Sequence, residues 1–158
     1  MAGFERLWAP WRSTFLKQGR RQRCFLCTAK RSGADRRHHV VARSKAVFAV
    51  LNRYPYNNGH VLIAPYRHVG TLERLHPAEW SEMLTMSRHL MKRLRIALHP
   101  HGFNLGLNLG RSAGAGVPGH CHLHIVPRWN GDTNFLPTLA HTKVISQSLD
   151  ELYRVLTT

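Results

Sequence analysis

What the chain lacks narrows its class first. No apolar run approaches the roughly 18–20 residues that a membrane-spanning helix needs. The opening Met1-Ala2-Gly3-Phe4-Glu5-Arg6 carries neither the apolar block nor the cleavage site of a secretory signal. The expectation is a cytoplasmic protein with no membrane partner. Cysteine is scarce: Cys24, Cys27 and Cys121 are the three, an odd number that argues against a disulfide framework. Internal repeats and low-complexity segments are missing. Acidic residues are few, eight against 23 Lys and Arg, for a formal net charge of +15. Residues 1–45 hold 12 of those cations and two of the acids. Such an imbalance suits a solvated basic arm, steering of a polyanionic substrate, or contact with nucleic acid. Few aromatics interleave with the basic stretch itself, which weakens the nucleic-acid reading.

With 158 residues and 43% apolar composition, the chain fits one compact domain with a real core. Residues 1–44 read as an irregular N-terminal arm carrying the cysteine pair, 45–140 as the main domain and 141–158 as a C-terminal extension. Phe4, Leu7, Trp8, Trp11, Phe15 and Leu16 give the arm an apolar side that should pack on the domain or on a partner subunit. Lys45–Leu51 and Gly59–Ala64 read as strands around a turn rich in Asn, Pro and Tyr. From Pro77 to Leu98, Trp80, Met83, Leu84, Leu90, Met91, Leu94 and Leu98 recur at helical spacing. Phe103–Leu109 alternates apolar and polar residues as a strand does, and a glycine-bearing loop, 110–119, joins it to a further strand. The predicted class is α+β: an antiparallel sheet with one long helix packed on its apolar face.

That last strand holds the chemistry. In His120-Cys121-His122-Leu123-His124-Ile125-Val126 three histidines alternate with apolar residues. A period of two places all three on one strand face, with Cys121, Leu123 and Ile125 turned to the core. Imidazoles are costly to bury unless each finds a partner. A neutral imidazole attacks phosphorus without first losing a proton near pH 7, and the phosphoramidate it forms is labile. His122, flanked by two others that can orient it, is the best nucleophile. The loop Ala113-Gly114-Ala115-Gly116-Val117-Pro118-Gly119 lets backbone N–H groups approach phosphate oxygens, and Asn108 should lie beside the imidazoles. Cys24 and Cys27 match half of a tetrahedral zinc site, whose other ligands would have to be histidines. His38, His39, His76, His89, His99, His101 and His141 fit no motif and read as surface or capping residues.

The histidine run resembles the His-φ-His-φ-His-φ-φ signature (φ apolar) of the histidine triad, or HIT, superfamily. Gly59-His60-Val61-Leu62-Ile63-Ala64-Pro65 and the Cys24/Cys27 pair resemble two further motifs of that superfamily. Leu7-Trp8-Ala9-Pro10-Trp11-Arg12 and the segment from Pro127 to Phe135 are similar to the bacterial branch of diadenosine tetraphosphate phosphorylases. The resemblance implies a HIT-like fold and nucleotidyl transfer on nucleoside or dinucleoside polyphosphates. His122 would attack the α-phosphate, and water or inorganic phosphate, phosphate favoured, would take the nucleotide. His124 and His60 would orient the array and stabilise phosphate oxygens. Asn52 would contact the ribose, with Asn108, Gly116 and Val117 completing the substrate site. Structural zinc would be held by Cys24, Cys27, His68 and His120.

Where many members carry Gln-Ser or Gln-Thr, this chain has Gly116-Val117, so a hydroxyl is missing, which suits the phosphorylase-like branch. A homo-oligomer, dimer or tetramer, is expected. Two alternatives stand beside this reading. One is a hydrolase of adenylated nucleic-acid ends or a nucleic-acid-binding protein, motivated by Arg20, Arg21, Arg23, Lys30, Arg31, Arg36 and Arg37. The other is a non-catalytic nucleotide-binding module.

Overall fold

The computed structural model describes residues 24–31, 33–139 and 142–158. The expected packing of Trp8 and Trp11, and the reading of His141, lie outside them. Five strands form one antiparallel sheet in the order β1-β2-β3-β5-β4. They are β1 (Val40–Arg43), β2 (Val47–Leu51), β3 (Val61–Pro65), β4 (Gly102–Leu107) and β5 (Leu123–Arg128). The α+β class read from the sequence, an antiparallel sheet with a long helix, is the one found.

One sheet face is apolar because alternate strand residues make it so. Val47, Ala49, Leu51, Val61, Ile63, Leu123 and Ile125 meet Met83, Leu90 and Leu94 of the long helix, Pro77–Leu98. That helix starts where Pro77 supplies a preset φ and Glu79 accepts the N–H of His76 at 2.8 Å. It stops at His99, which takes a left-handed φ of 48°. A second helix, Leu149–Thr157, lies on the same face with Leu152 and Leu156 buried in this core. Its start is a capping box between Ser148 and Glu151. So the C-terminal segment, read as an extension, is part of the main core.

The opposite face is divided. Over β1–β3, Val40, Phe48, Val50, Leu62 and Ala64 pack against Leu26 and Ala29 of a short helix, Phe25–Arg31. Residues 25–31, 35–38 and 40–43 are therefore ordered elements where the composition suggested an irregular arm. The strand 40–43 is too short and too close to a β-bulge for an alternation signal. Over β5 and β4 the same face carries His124 between Leu62 and Gly106, then Val126 opposite Asn104. Regular pairing in β5 begins only at Leu123, so the strand does not extend back to His120 as the alternation suggested.

Candidate active site

His60 and His124 are joined by a hydrogen bond whose direction can be worked out. Nδ1 of His60 accepts the backbone N–H of Tyr56 at 3.0 Å and faces the Asn52 side-chain amide at 3.2 Å. Its proton must then sit on Nε2, which donates to Nδ1 of His124 at 2.9 Å. His124 in turn carries its proton on Nε2, and that atom is buried with no partner among the described residues. An orphaned donor is costly to bury, and here it points to an acceptor that arrives with a ligand. The ring of Tyr56 stacks on His124 with centroids 5.7 Å apart and planes 8° from parallel.

His122 stands 4.8 Å from His124, centroid to centroid. Its Nδ1 lies 2.7 Å from the carbonyl oxygen of His120. A carbonyl can only accept, so Nδ1 bears the proton and Nε2 keeps its lone pair. Among the described residues Nε2 finds no hydrogen-bond partner, and it is not among the buried unpartnered atoms, so it keeps contact with solvent. Burial holds His122 below the ordinary imidazole pKa, and pushes His124 to about 4 and His60 to about 3. All three rings are neutral at pH 7, the form in which a ring nitrogen can attack.

His120 leaves this array, correcting the shared face expected for all three. Its Nε2–H donates to the Pro65 carbonyl at 2.8 Å, which turns Nδ1 toward Cys24 Sγ at 3.3 Å and Cys27 Sγ at 3.6 Å. His68 Nδ1 lies 3.2 Å from Cys27 Sγ. The four ligand atoms lie within 4.8 Å of one another. Around zinc, with bonds of about 2.3 Å to sulfur and 2.0–2.1 Å to nitrogen, neighbouring ligands stand roughly 3.3–3.8 Å apart. The three nitrogen-to-sulfur distances of 3.2–3.6 Å lie close to those edges, and the Pro65 carbonyl fixes the His120 tautomer as a metal's outer partner does. The donor set fits zinc. Cys121 takes no part: it is buried, and burial pushes its thiol up to about 11.

The substrate residues expected from the sequence are less uniformly placed. Asn108 and His124 line a cavity of about 390 Å³ over β4 and β5, with Tyr56, Val126, Arg128 and Lys143. Asn52 does not line it; its Oδ1 accepts the N–H of Tyr54 at 3.0 Å, so both ends of its amide serve the turn and His60. Gly116 and Val117 lie outside the cavity too, in the loop that enters the histidine run. The Val117 carbonyl accepts the N–H of His120 at 3.1 Å. No acceptor within the described residues takes the N–H of Gly116 or Val117. The loop sits tightly on Gly70, where an added Cβ would lie 2.8 Å from the Pro118 carbonyl. Sequence reasoning missed Tyr56, Arg128 and Lys143 as site residues. Arg128 was legible, since it continues the even-numbered alternation of His124 and Val126. Lys143 carried no local signal. The capping reading holds for His76 and His99, while His39 pairs with Asp150 at 3.1 Å.

A family model described as HIT domain matches residues 34–131. The chain belongs to the HIT family. An "AP-4-A phosphorylase" of Mycobacterium tuberculosis is 41% identical over 162 residues, covering 98% of this chain and 83% of that HIT relative. A "Bis(5'-nucleosyl)-tetraphosphatase [asymmetrical]" of Schizosaccharomyces pombe is 36% identical over 93 residues, covering 59% and 50%. Among solved HIT structures, a Zn-bound histidine triad family protein from Mycobacterium smegmatis superposes with a TM-score of 0.68. It is 26% identical and covers 85% of this chain and 90% of its own.

Proposed function

We propose that this HIT protein is an enzyme that splits dinucleoside polyphosphates of the diadenosine tetraphosphate type, through a nucleotidyl group held on His122. The observation that carries the reading is the tautomer of His122: Nδ1–H tied to the His120 carbonyl, Nε2 open and unprotonated. The Nε2 lone pair forms a bond to the α-phosphorus while the bond from phosphorus to the bridging oxygen breaks. The leaving polyphosphate takes that electron pair. The ring becomes cationic, and its Nδ1–H bond to the carbonyl strengthens as charge develops. The orphaned Nε2–H of His124 and the free N–H groups of Gly116 and Val117 can stabilise phosphate oxygens. His60 holds the His124 tautomer, and Asn52 steadies His60, a positioning role in place of the ribose contact expected from the sequence. Inorganic phosphate then attacks phosphorus, frees His122 and leaves as part of a nucleoside diphosphate. The likeness to the AP-4-A phosphorylase over nearly the whole chain favours phosphate over water as the acceptor.

Zinc on Cys24, Cys27, His68 and His120 would clamp the first helix to the entrance of the histidine run and do no chemistry on the substrate. The unpaired outer side of β4, with Leu105 43% exposed, suits assembly into a homo-oligomer, dimer or tetramer. Among the described residues no helix is long and apolar enough to cross a membrane, and three free thiols fit a cytoplasmic setting. Of the cations that motivate a nucleic-acid role, Arg20, Arg21 and Arg23 lie outside the described residues, and Lys30 is bound to the Tyr66 carbonyl.

Incubation with diadenosine tetraphosphate tests the reading. With phosphate the products are ADP and ATP, without it AMP and ATP, and an acid-labile adenylyl group is trapped on His122. A protein that turns over no dinucleotide and forms no adduct overturns it.

A further inference from the structure

The cavity over β4 and β5 has no task in the steps above, yet it opens beside the nucleophile. At about 390 Å³ it falls in the range of small-ligand sites, roughly 300–1,000 Å³. One end is His124, whose buried Nε2–H has no partner. Four residues further along β5, roughly 13 Å at strand rise, the other end is formed by Arg128 and Lys143. Its floor includes Gly106 and Val126, one without a side chain and one apolar, with Asn104 opposite Val126.

The two cations differ in what holds them. Arg128 is committed: its guanidinium meets both Asp132 carboxylate oxygens, at 2.6 and 2.9 Å, and the Asn104 side-chain oxygen at 2.7 Å. Its charge is balanced within the protein. Lys143 comes from the segment between Thr142 and the last helix. Its Nζ donates to the backbone carbonyl of Asp132, and among the described residues no carboxylate pairs with it. An ammonium has three donors, so two remain for a ligand. Lys143 is therefore the uncompensated positive charge of the cavity.

We propose that this cavity receives the part of the substrate that leaves, and that Lys143 sets a preference for a long, anionic leaving group. The inference rests on the reading of His122 as nucleophile and adds what lies on the far side of the broken bond. Nε2–H of His124 would meet the first oxygens of the departing polyphosphate, and Lys143 the last ones. A nucleoside triphosphate leaving from diadenosine tetraphosphate has the length and charge to span both ends.

The test compares two substrates that deliver the same adenylyl group: diadenosine tetraphosphate, and an adenylate ester of a small neutral alcohol. The wild-type ratio of kcat/KM between them is compared with that of Lys143→Met, which keeps the aliphatic stem, and Lys143→Arg, which restores the charge. Losing a charged contact costs roughly 10- to 100-fold. Lys143→Met should lower the ratio by that factor and Lys143→Arg should recover most of it. Inorganic tripolyphosphate, titrated by calorimetry, should bind the wild type and lose affinity similarly in Lys143→Met. A ratio and a tripolyphosphate affinity both unmoved by Lys143→Met overturn the inference and leave the His122 reading intact. If the wild type accepts the adenylyl group from neither substrate, both fall together. Equal losses on both substrates mark a structural role for Lys143 and also overturn it.

Discussion

The two faces of the sheet are made by alternate residues of the same strands, yet they are held by different physics. On one face Leu123 and Ile125 are fixed by contact with two helices, and stability comes from apolar area removed from water. On the other, His122 and His124 are fixed by hydrogen bonds of defined direction, and one donor is left unsatisfied. The first arrangement tolerates approximate shape, the second requires a particular tautomer. Stability and reactivity are thus separated by side-chain direction along β5 and the residue that leads into it, and they should be separable by mutation.

The largest break in that comparison is His122→Ala. Turnover of diadenosine tetraphosphate should fall by on the order of 10⁴-fold or more, since no other group can form the intermediate. The thermal midpoint should stay within a few degrees of wild type. Loss of fold instead of activity would show the two faces to be coupled. Second is the Cys/His cluster beside the histidine face. Cys24→Ser, or extraction with a chelator, should remove zinc measurable by metal analysis. A ligand present at over a hundred times its Kd contributes about 3 kcal/mol, and denaturant titration should show a loss of that order. Equal stability with and without metal would deny the cluster a structural task.

Third is the apolar face itself. Leu90 is fully buried, and Leu90→Ala should cost about 2–5 kcal/mol of stability while kcat per folded molecule changes little. A changed kcat with unchanged stability would reverse the assignment of the faces. The smallest effect is on acid stability. His60 and His124 sit at about 3 and 4 when folded, below the ordinary 6.5, because burial disfavours their charged forms. As pH drops below about 6.5 the unfolded chain takes up protons that the folded one refuses. Stability should therefore fall from pH 6.5 toward pH 4, by at most about 1.4 kcal/mol per pH unit for each ring. His60→Gln should flatten that slope and Leu90→Ala should not, which urea titrations at pH 4.5, 5.5 and 6.5 would distinguish.

Legibility followed the length and regularity of each signal. The helix Pro77–Leu98 was readable to the residue because 22 positions repeat one pattern and proline marks its start. β2, β3 and β4 came within two residues of their ends, where alternation fades into turn. Val40–Arg43 was not readable, being four residues long and bulged. The last helix was read only as part of an extension, because only tertiary contact shows Leu152 and Leu156 in the core. In the site, the alternation placed His122 and His124 together and failed for His120, because a period has force only where strand pairing maintains it. The resemblance grouped Cys24, Cys27, His68 and His120, residues up to 96 positions apart. It could not give the hydrogen bonds that set each tautomer.

The acceptor that determines which nitrogen of His122 carries the proton is main-chain oxygen at residue 120. Exchanging side chains cannot delete it. To weaken that acceptor without replacing the ring, one would have to reroute the polypeptide between Gly119 and Cys121, or swap the amide after residue 120 for an ester, whose carbonyl accepts less strongly, by chemical synthesis. The most chemically exacting feature of the protein is consequently also among the least exposed to point mutation.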